Sequence, residues 1–250
     1  MKQQHIFLFF ISIYIISLTS FSQETQKDTI VIKDTYGLRV GIDLYNPIYT
    51  LIDGKRKGLE LTADFRLSNK YFIAAELGYL NNKTYENYYD FETKGQYIKV
   101  GANYNLFKNW LDMENEIYLG LRYGYSNFSQ NISNYTINSD PILPEHQVTE
   151  NREYNGLNAS WGELVVGIKA EVFNNIFLGF AFSGKKMIST KEPEKFKNFF
   201  VPGFNRVYLA DGGFGFNYTI SYRIPIYKKE KSKVKKLEKE TKKNESNKKN

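Results

Sequence analysis

The stretch NEIYLGLRYGYS, residues Asn115–Ser126, decides the fold because its residues alternate in polarity. One set of alternate positions is apolar from Ile117 to Tyr125, whereas the other holds Glu116, Arg122 and two glycines. A period of two is that of a β-strand, whose successive side chains point to opposite faces. The stretch therefore predicts a strand with one apolar face and one charged face.

The same alternation recurs along the chain and predicts an all-β fold. A short helix is predicted only in KEPEKFKNFF, residues 191–200, where Pro193 suits a first helical turn. The eight predicted strands are Gly37–Leu44, Lys57–Arg66, Tyr71–Tyr79, Gln96–Leu106, Glu116–Ser126, Ser160–Val172, Ile176–Ser183 and Gly213–Ile224.

The connections between these strands alternate in length. An up-and-down barrel places alternate connections at the same end, so one end would carry tight turns and the other long polar loops. Outer-membrane barrels have this asymmetry. We therefore predict an eight-stranded antiparallel up-and-down transmembrane β-barrel. The short connections are Ser68–Lys70, Phe107–Met113 and Phe173–Asn175, and the long ones are Tyr45–Arg56, Leu80–Gly95, Asn127–Ala159 and Gly184–Gly212.

The composition of the two faces separates a membrane barrel from a soluble one. A soluble barrel would turn its apolar residues inward and its charges to water. Here the apolar face carries no charge and collects aromatic residues toward the strand ends, as membrane interfaces require. The charged face also holds glycines, for example Gly78, Gly120 and Gly124, which would leave space for long charged side chains inside a narrow barrel.

We therefore expect the charged face to line the lumen and to form a balanced set of ion pairs. This set is called the lumen charge network. It consists of Arg39, Asp43, Glu60, Asp64, Arg66, Glu76, Lys99, Glu116, Arg122, Glu163, Lys169, Glu171 and Arg223.

The two ends of the chain differ in composition from this region. Residues 1–22 have a basic start, an apolar run and small residues, which predict a secretory signal peptide. Residues 23–35 would be an N-terminal periplasmic segment, 36–227 the β-barrel and 228–250 a Lys-rich disordered tail. The tail holds eleven Lys and four Glu, so the formal net charge of +7 reflects the tail and not the barrel. An exported chain is not expected to meet nucleic acid.

The strand sequences resemble a known family. TKGQYIKVGANYNLFKNW, ENEIYLGLRYGYSNFSQ, WGELVVGIKAEVF, VPGFN and GFNYTISYRIPIYKK are similar to those of uncharacterised outer-membrane barrel proteins from Bacteroidota, catalogued as a domain of unknown function. The resemblance runs from Tyr36 to Lys228 and implies the barrel and its outer-membrane location, but no activity. The interior charges are also loosely similar to those of the small barrel of outer membrane protein A.

Three sets of loop residues are weaker candidates for sites. His146 lacks a nucleophile motif nearby, so a solvated loop histidine is expected. The acids of Tyr88–Glu92 and Asp112–Glu116 lack the spacing of a calcium loop. The aromatic residues of Tyr85–Phe91 and Phe196–Tyr208 form either a partner or glycan surface or a packed loop cluster. We expect no catalytic residue, no cofactor and no metal.

These patterns lead to a functional hypothesis. The protein would be an outer-membrane barrel with a closed, charge-filled lumen and a structural or surface-interaction role, and not an enzyme. Its partners would be outer-membrane lipid and, through its loops or basic tail, an envelope polymer or protein. The alternatives are a narrow conduit for small solutes or apolar molecules, an enzyme that uses a carboxylate, and a soluble exported barrel.

Overall fold

The computed structural model describes residues 33–85, 89–107, 114–137, 146–194 and 196–230, which all belong to one compact unit. The predicted signal peptide and most of the Lys-rich tail lie outside these residues. The elements are β1 (Lys33–Asp43), α1 (Tyr45–Asp53), β2 (Arg56–Arg66), β3 (Tyr71–Tyr85), β4 (Tyr89–Asn105), β5 (Glu116–Ile137), β6 (His146–Phe173), β7 (Ile176–Thr190), β8 (Phe200–Val201), β9 (Asn205–Arg206), a 3-10 turn (Leu209–Asp211) and β10 (Gly212–Glu230).

Eight long strands form a closed barrel, in which every neighbouring pair is antiparallel. Strands β1 to β7 follow one another around the ring, and β10 closes it between β7 and β1. Strands β8 and β9 form a separate small hairpin within the connection from β7 to β10. The all-β antiparallel fold predicted from alternation is confirmed, and each of the eight predicted strands is present.

The strands are longer than predicted at the end of the barrel that carries the long connections, which we call the loop end. The opposite end, with the short connections, is the turn end. Strand β5 has 22 residues and β6 has 28, so much of the predicted polar loop Asn127–Ala159 is strand. The same holds for the predicted loop Leu80–Gly95. The prediction was wrong there because the pairing continues beyond the apolar residues that reveal alternation.

The single described α-helix was not predicted. Helix α1 fills the connection after β1 and ends at Gly54, whose φ of 69° is left-handed and whose N–H donates to the Thr50 carbonyl over 3.1 Å. Asn46 faces the barrel, while Leu51 and Ile52 are exposed. Conversely, the helix predicted over residues 191–200 is wrong, since residues 191–194 and 196–200 contain no helix.

Burial alternates along the strands and separates an exposed apolar face from a buried charged one. On β5, Leu121 is 67% exposed, whereas its neighbour Arg122 is buried. On β3, Leu77 is 57% exposed, whereas Phe72 and Ala74 are buried. The exposed aliphatic and aromatic residues of all eight long strands form what we call the apolar belt.

Candidate functional site

Ion pairs cross the interior of the barrel in its turn-end half. The Arg39 guanidinium on β1 lies 2.7 Å from the Asp64 carboxylate on β2 and 2.8 Å from Glu116 on β5. Lys169 on β6 reaches Asp64 at 2.5 Å. The neighbouring strands β1 and β2 lie across the ring from the neighbouring strands β5 and β6. The Arg39–Glu116 and Lys169–Asp64 contacts therefore tie opposite walls together. The Arg39 guanidinium also lies 4.6 Å from the centre of the Phe177 ring.

A second group of ion pairs closes the turn end and depends on Glu114, which sequence analysis missed. Its carboxylate lies 2.9 Å from Arg66, forms an ion pair with Arg223 and accepts from the Thr35 N–H over 2.8 Å. Arg223 also contacts Glu171 at 3.0 Å. Glu114 lies in the turn just before β5, outside the strands that the alternation reveals. Its ion pairs, and those of Glu116, account for the two described acids of the stretch Asp112–Glu116 that sequence analysis considered for calcium.

The middle of the interior is organised by Glu76 and Lys99. The Glu76 carboxylate lies 2.7 Å from Lys99 and 3.2 Å from Arg122. Lys99 also reaches Glu60 at 3.1 Å, and Glu60 accepts a 2.6 Å hydrogen bond from the Tyr97 hydroxyl. Among the described residues, Arg122 therefore has one carboxylate partner, and its other N–H groups donate to amide and backbone oxygens, including Oδ1 of Asn103 at 2.7 Å.

A final group of ion pairs and hydrogen bonds links the interior charges to the loop end of the barrel. Glu163 lies 3.4 Å from Lys185 and accepts a 2.6 Å hydrogen bond from the Trp161 indole N–H. Lys185 also donates to the Gly203 carbonyl over 2.7 Å. Lys185 was missed because the predicted seventh strand ended at Ser183, whereas β7 continues to Thr190. Asp43, in contrast, accepts hydrogen bonds from Tyr45 N–H, at 2.6 Å, and from Asn217.

The structure thus brings the residues of the lumen charge network into contact inside the barrel. All of them except Asp43 take part in an ion pair with another described residue. Four further charged residues join them at the two ends of the barrel, and all four lie outside the strands predicted from alternation: Asp34, Arg56, Glu114 and Lys185.

The connection between β7 and β10 folds back into the loop end of the barrel. Its segment VPGFN carries Val201 and Phe204, both 0% exposed. The Phe204 ring meets Trp161 edge-on, with 5.8 Å between ring centres. Of the two alternatives for the aromatic residues of Phe196–Tyr208, packing against the barrel therefore describes Phe200 and Phe204. We call this inserted segment, residues 198–206, the plug.

Three glycines of the buried face make room for aromatic rings, which the expectation that they accommodate charged side chains did not include. A Cβ added at Gly78 would overlap the Tyr97 ring, at Gly124 the Trp161 ring and at Gly167 the Tyr118 ring. Gly120, Gly179 and Gly215 fit the expectation; a Cβ at Gly215, for example, would lie 3.0 Å from the Lys185 ammonium. The alternation pattern did not reveal these contacts between glycines and rings, because aromatic residues occur at both interior and exterior strand positions.

The interior leaves little free space. A cavity of about 40 Å³ lies among Glu60, Asp64, Glu76 and Arg122, and one of about 20 Å³ lies under α1 and the plug. A water molecule requires roughly 10–15 Å³ on this measure, so the two cavities hold a few waters at most. Neither of these two cavities admits a solute larger than a few water molecules.

Other kinds of site find little support in the described residues. Within them, no three His, Cys, Asp or Glu side chains are grouped so that they could hold a metal ion. Also within them, no helix is both long and apolar enough to cross a membrane. His146 is the first residue of β6, but its side chain lies outside the described part, as do Tyr88 and Asp112 of the two acidic stretches.

Comparison with known proteins places the chain in a family. No curated protein matches it. Among solved structures, it is similar to the crystal structure of Ail, the attachment invasion locus protein of Yersinia pestis, with 10% sequence identity and a TM-score of 0.39 over 78% of this chain and 99% of that chain. A similarity at this level carries no argument about function. The model of the domain of unknown function DUF6048 matches residues 3–229, and the chain therefore belongs to the DUF6048 family, as the resemblance of its strands predicts.

Proposed function

We propose that this protein is a transmembrane β-barrel of the bacterial outer membrane, with its apolar belt in lipid and its lumen closed by charge. The observation that carries the proposal is the inverted polarity of the barrel. Leu77 and Leu121 are more than half exposed, whereas the Arg39, Lys99 and Glu60 side chains are at most 4% exposed. In water, an apolar surface that encircles a protein is unfavourable, and lipid is the solvent that suits it.

The dimensions of the apolar belt support a membrane span. On β3 the belt runs from Tyr71 to Tyr79, nine residues with aromatic rings at both ends. A tilted transmembrane strand needs roughly 9–11 residues, flanked by aromatic girdles at the two interfaces. At the turn end the Tyr71 and Tyr104 rings lie side by side, 5.3 Å apart. Outer-membrane lipid is thus the first partner that we propose.

Closure of the lumen favours a structural or surface-interaction role over a conduit or an enzyme. Ion pairs tie opposite walls together, the plug fills the loop end, and the cavities among the charges hold only a few waters. The loop end would then face outward and both chain ends inward, as in barrels with an even number of strands. A Bacteroidota origin, the likeness to outer membrane protein A and contacts of the basic tail with an anionic envelope polymer stay predictions.

Cell fractionation combined with gel mobility tests the membrane location. The protein should sediment with the outer membrane, and unboiled samples should migrate differently from boiled ones, since a closed barrel has no free sheet edge from which SDS can begin to unfold it. Recovery in the soluble periplasm without detergent would overturn the location.

Conductance in planar bilayers tests the closed lumen. The wild-type protein should show no steady current, because an eight-stranded barrel is just wide enough to be filled by its side chains. Steady single-channel conductance would replace the closed barrel with the conduit.

A further inference from the structure

A row of polar side chains lies just beyond the loop-end edge of the apolar belt, on the outer face of β2, β3 and β4. Lys57 on β2 pairs in register with Asn81 on β3, which in turn pairs with Lys94 on β4. Neither pairing shifts its register here, so the three residues stand side by side. Lys57 and Lys94 are exposed. We call these three residues the lysine row.

The position of the lysine row matches the level at which acyl chains give way to lipid headgroups. Two residues closer to the turn end, the same three strands carry the row Leu59, Tyr79 and Gln96. Residues two apart on a strand share a face, so this row lies directly below the lysine row on the outer surface. Tyr79 is 51% exposed and ends the apolar belt on β3. Since Tyr rings collect at membrane interfaces, the lysines, roughly 7 Å further along the strands, would stand among headgroups.

The two lysines of the row carry charges that no described carboxylate neutralises. One row further toward the loop end, Lys55 and Lys83 lie 3.5 Å and 3.6 Å from a carboxylate. Lys57 and Lys94, in contrast, form no ion pair within the part of the chain that the structure describes. On β5 the register partner of Lys94 is the uncharged Ser129. A local surface with two positive charges therefore adjoins the apolar belt on β2 to β4.

The spacing and charge of the two lysines favour a phosphate monoester as their partner. Neighbouring strands lie about 4.8 Å apart, so the backbones of Lys57 and Lys94, on either side of β3, lie about 10 Å apart. Their flexible four-carbon stems can bring both ammonium groups to one anion above Asn81. A phosphate monoester carries a charge of about −1.5 to −2 near neutral pH, which matches two ammonium groups. A phosphodiester or a carboxylate carries only one negative charge.

We propose that the lysine row binds the headgroup of a lipid that carries a phosphate monoester, with the phosphate held between Lys57 and Lys94. A lipid suits this position better than a free phosphate ion, because Leu59 and Tyr79 directly below the row offer an apolar surface to the acyl chains. The inference rests on the proposed function, in which the loop end faces outward and the lipid belongs to the outer leaflet.

Native mass spectrometry of the full chain, folded in detergent, tests the headgroup. The probes are phosphatidic acid, a phosphate monoester, phosphatidylglycerol, a phosphodiester, and phosphatidylcholine, whose headgroup has no net charge, all with the same acyl chains. Phosphatidic acid should bind about 25-fold more tightly than phosphatidylcholine, since each lysine near an anionic lipid contributes about fivefold. It should also bind more tightly than phosphatidylglycerol.

The other outcomes separate this inference from the proposed function. Equal binding of the three lipids would overturn the role of the lysine row and leave the membrane location standing, whereas failure of all three to bind would contradict both. If inorganic phosphate displaces phosphatidic acid at equal concentration, the row is a site for a free ion, and the lipid proposal is wrong.

Substitutions test the two lysines directly. Lys57→Gln and Lys94→Gln should each reduce the preference for phosphatidic acid over phosphatidylcholine about fivefold, and the double variant should remove it. Lys70→Gln is the matched control, because it removes the same charge from an exposed lysine in the turn between β2 and β3, at the opposite end of the barrel. All variants should migrate like the wild type in unboiled samples, since these side chains lie outside the buried interior. An unchanged preference in the folded double variant would contradict the proposal.

Discussion

At the scale of single residues, Arg122 and Leu121 are neighbours in sequence that meet opposite environments. Arg122→Leu removes one of the two cationic partners of the Glu76 carboxylate and should destabilise the barrel by up to about 3–5 kcal/mol, the upper end being reached only if Lys99 does not compensate. Leu121→Arg should cost about 2–4 kcal/mol for a different reason, since it places a charge in the apolar belt. Urea unfolding of the protein in lipid vesicles measures both.

A second substitution distinguishes the two causes. Glu76→Gln should partly restore Arg122→Leu, because Glu76 is the carboxylate within 3.2 Å of Arg122. Glu116→Gln should not, since Glu116 pairs with Arg39 instead. Neither should restore Leu121→Arg. If folded Arg122→Leu is as stable as the wild type, Arg122 does not lie in a desolvated ion pair.

The contact between glycines and aromatic rings makes a separate prediction. Gly124→Ala should destabilise the barrel by about 1–3 kcal/mol, because its methyl group would overlap the buried Trp161 ring and force it to move. Gly184→Ala is the matched control, since nothing lies within 4 Å of a Cβ at this strand position. Unfolding midpoints in the same vesicles compare the two. Equal midpoints would show that Trp161 does not need the space above Gly124.

Single residues also show which charges of the barrel interior could be predicted from the sequence. Arg39, Glu76 and Lys99 could be predicted because alternation with apolar neighbours assigns them a face. Glu114 and Lys185 could not, because one lies in a turn and the other beyond the last clearly alternating residue. Which acid would pair with which base was also not predictable, since the partners lie on strands whose tilt and register the sequence does not reveal.

At the scale of elements, period-two alternation identified all eight long strands, but only along the part of each strand whose exposed positions are apolar. Beyond the apolar belt, β5 buries Phe128 and Ile132 and turns Asn and Ser residues outward, so the exposed apolar face ends while the pairing continues, for example between Asn131 and Glu153. Helix α1 was missed because nine residues are too few for a clear helical period. Residues 191–194 and 196–200 are not helical, and Phe200 is buried in the plug.

At the scale of the whole molecule, the two ends of the barrel should lie on opposite sides of the membrane. The chain contains no Cys, so a single introduced thiol reports one position. Leu209→Cys, at the loop end, should react with a membrane-impermeant maleimide on intact cells. Asn174→Cys, in the turn between β6 and β7, should react only after the cells are broken. The reverse pattern would invert the proposed orientation, and labelling of both on intact cells would exclude a span.

The closure of the ring by β1 and β10 has a kinetic consequence. Lys33 pairs with Glu230, so the contacts that complete the barrel join the two ends of the described chain. The other pairings join consecutive or nearly consecutive strands and close short loops, whereas this seam requires the loop of greatest length and the largest entropic cost before any contact stabilises it. Folding should therefore pass through an open, curled sheet with two unpaired edges. The rate of the final step is set by how quickly the first strand meets the last.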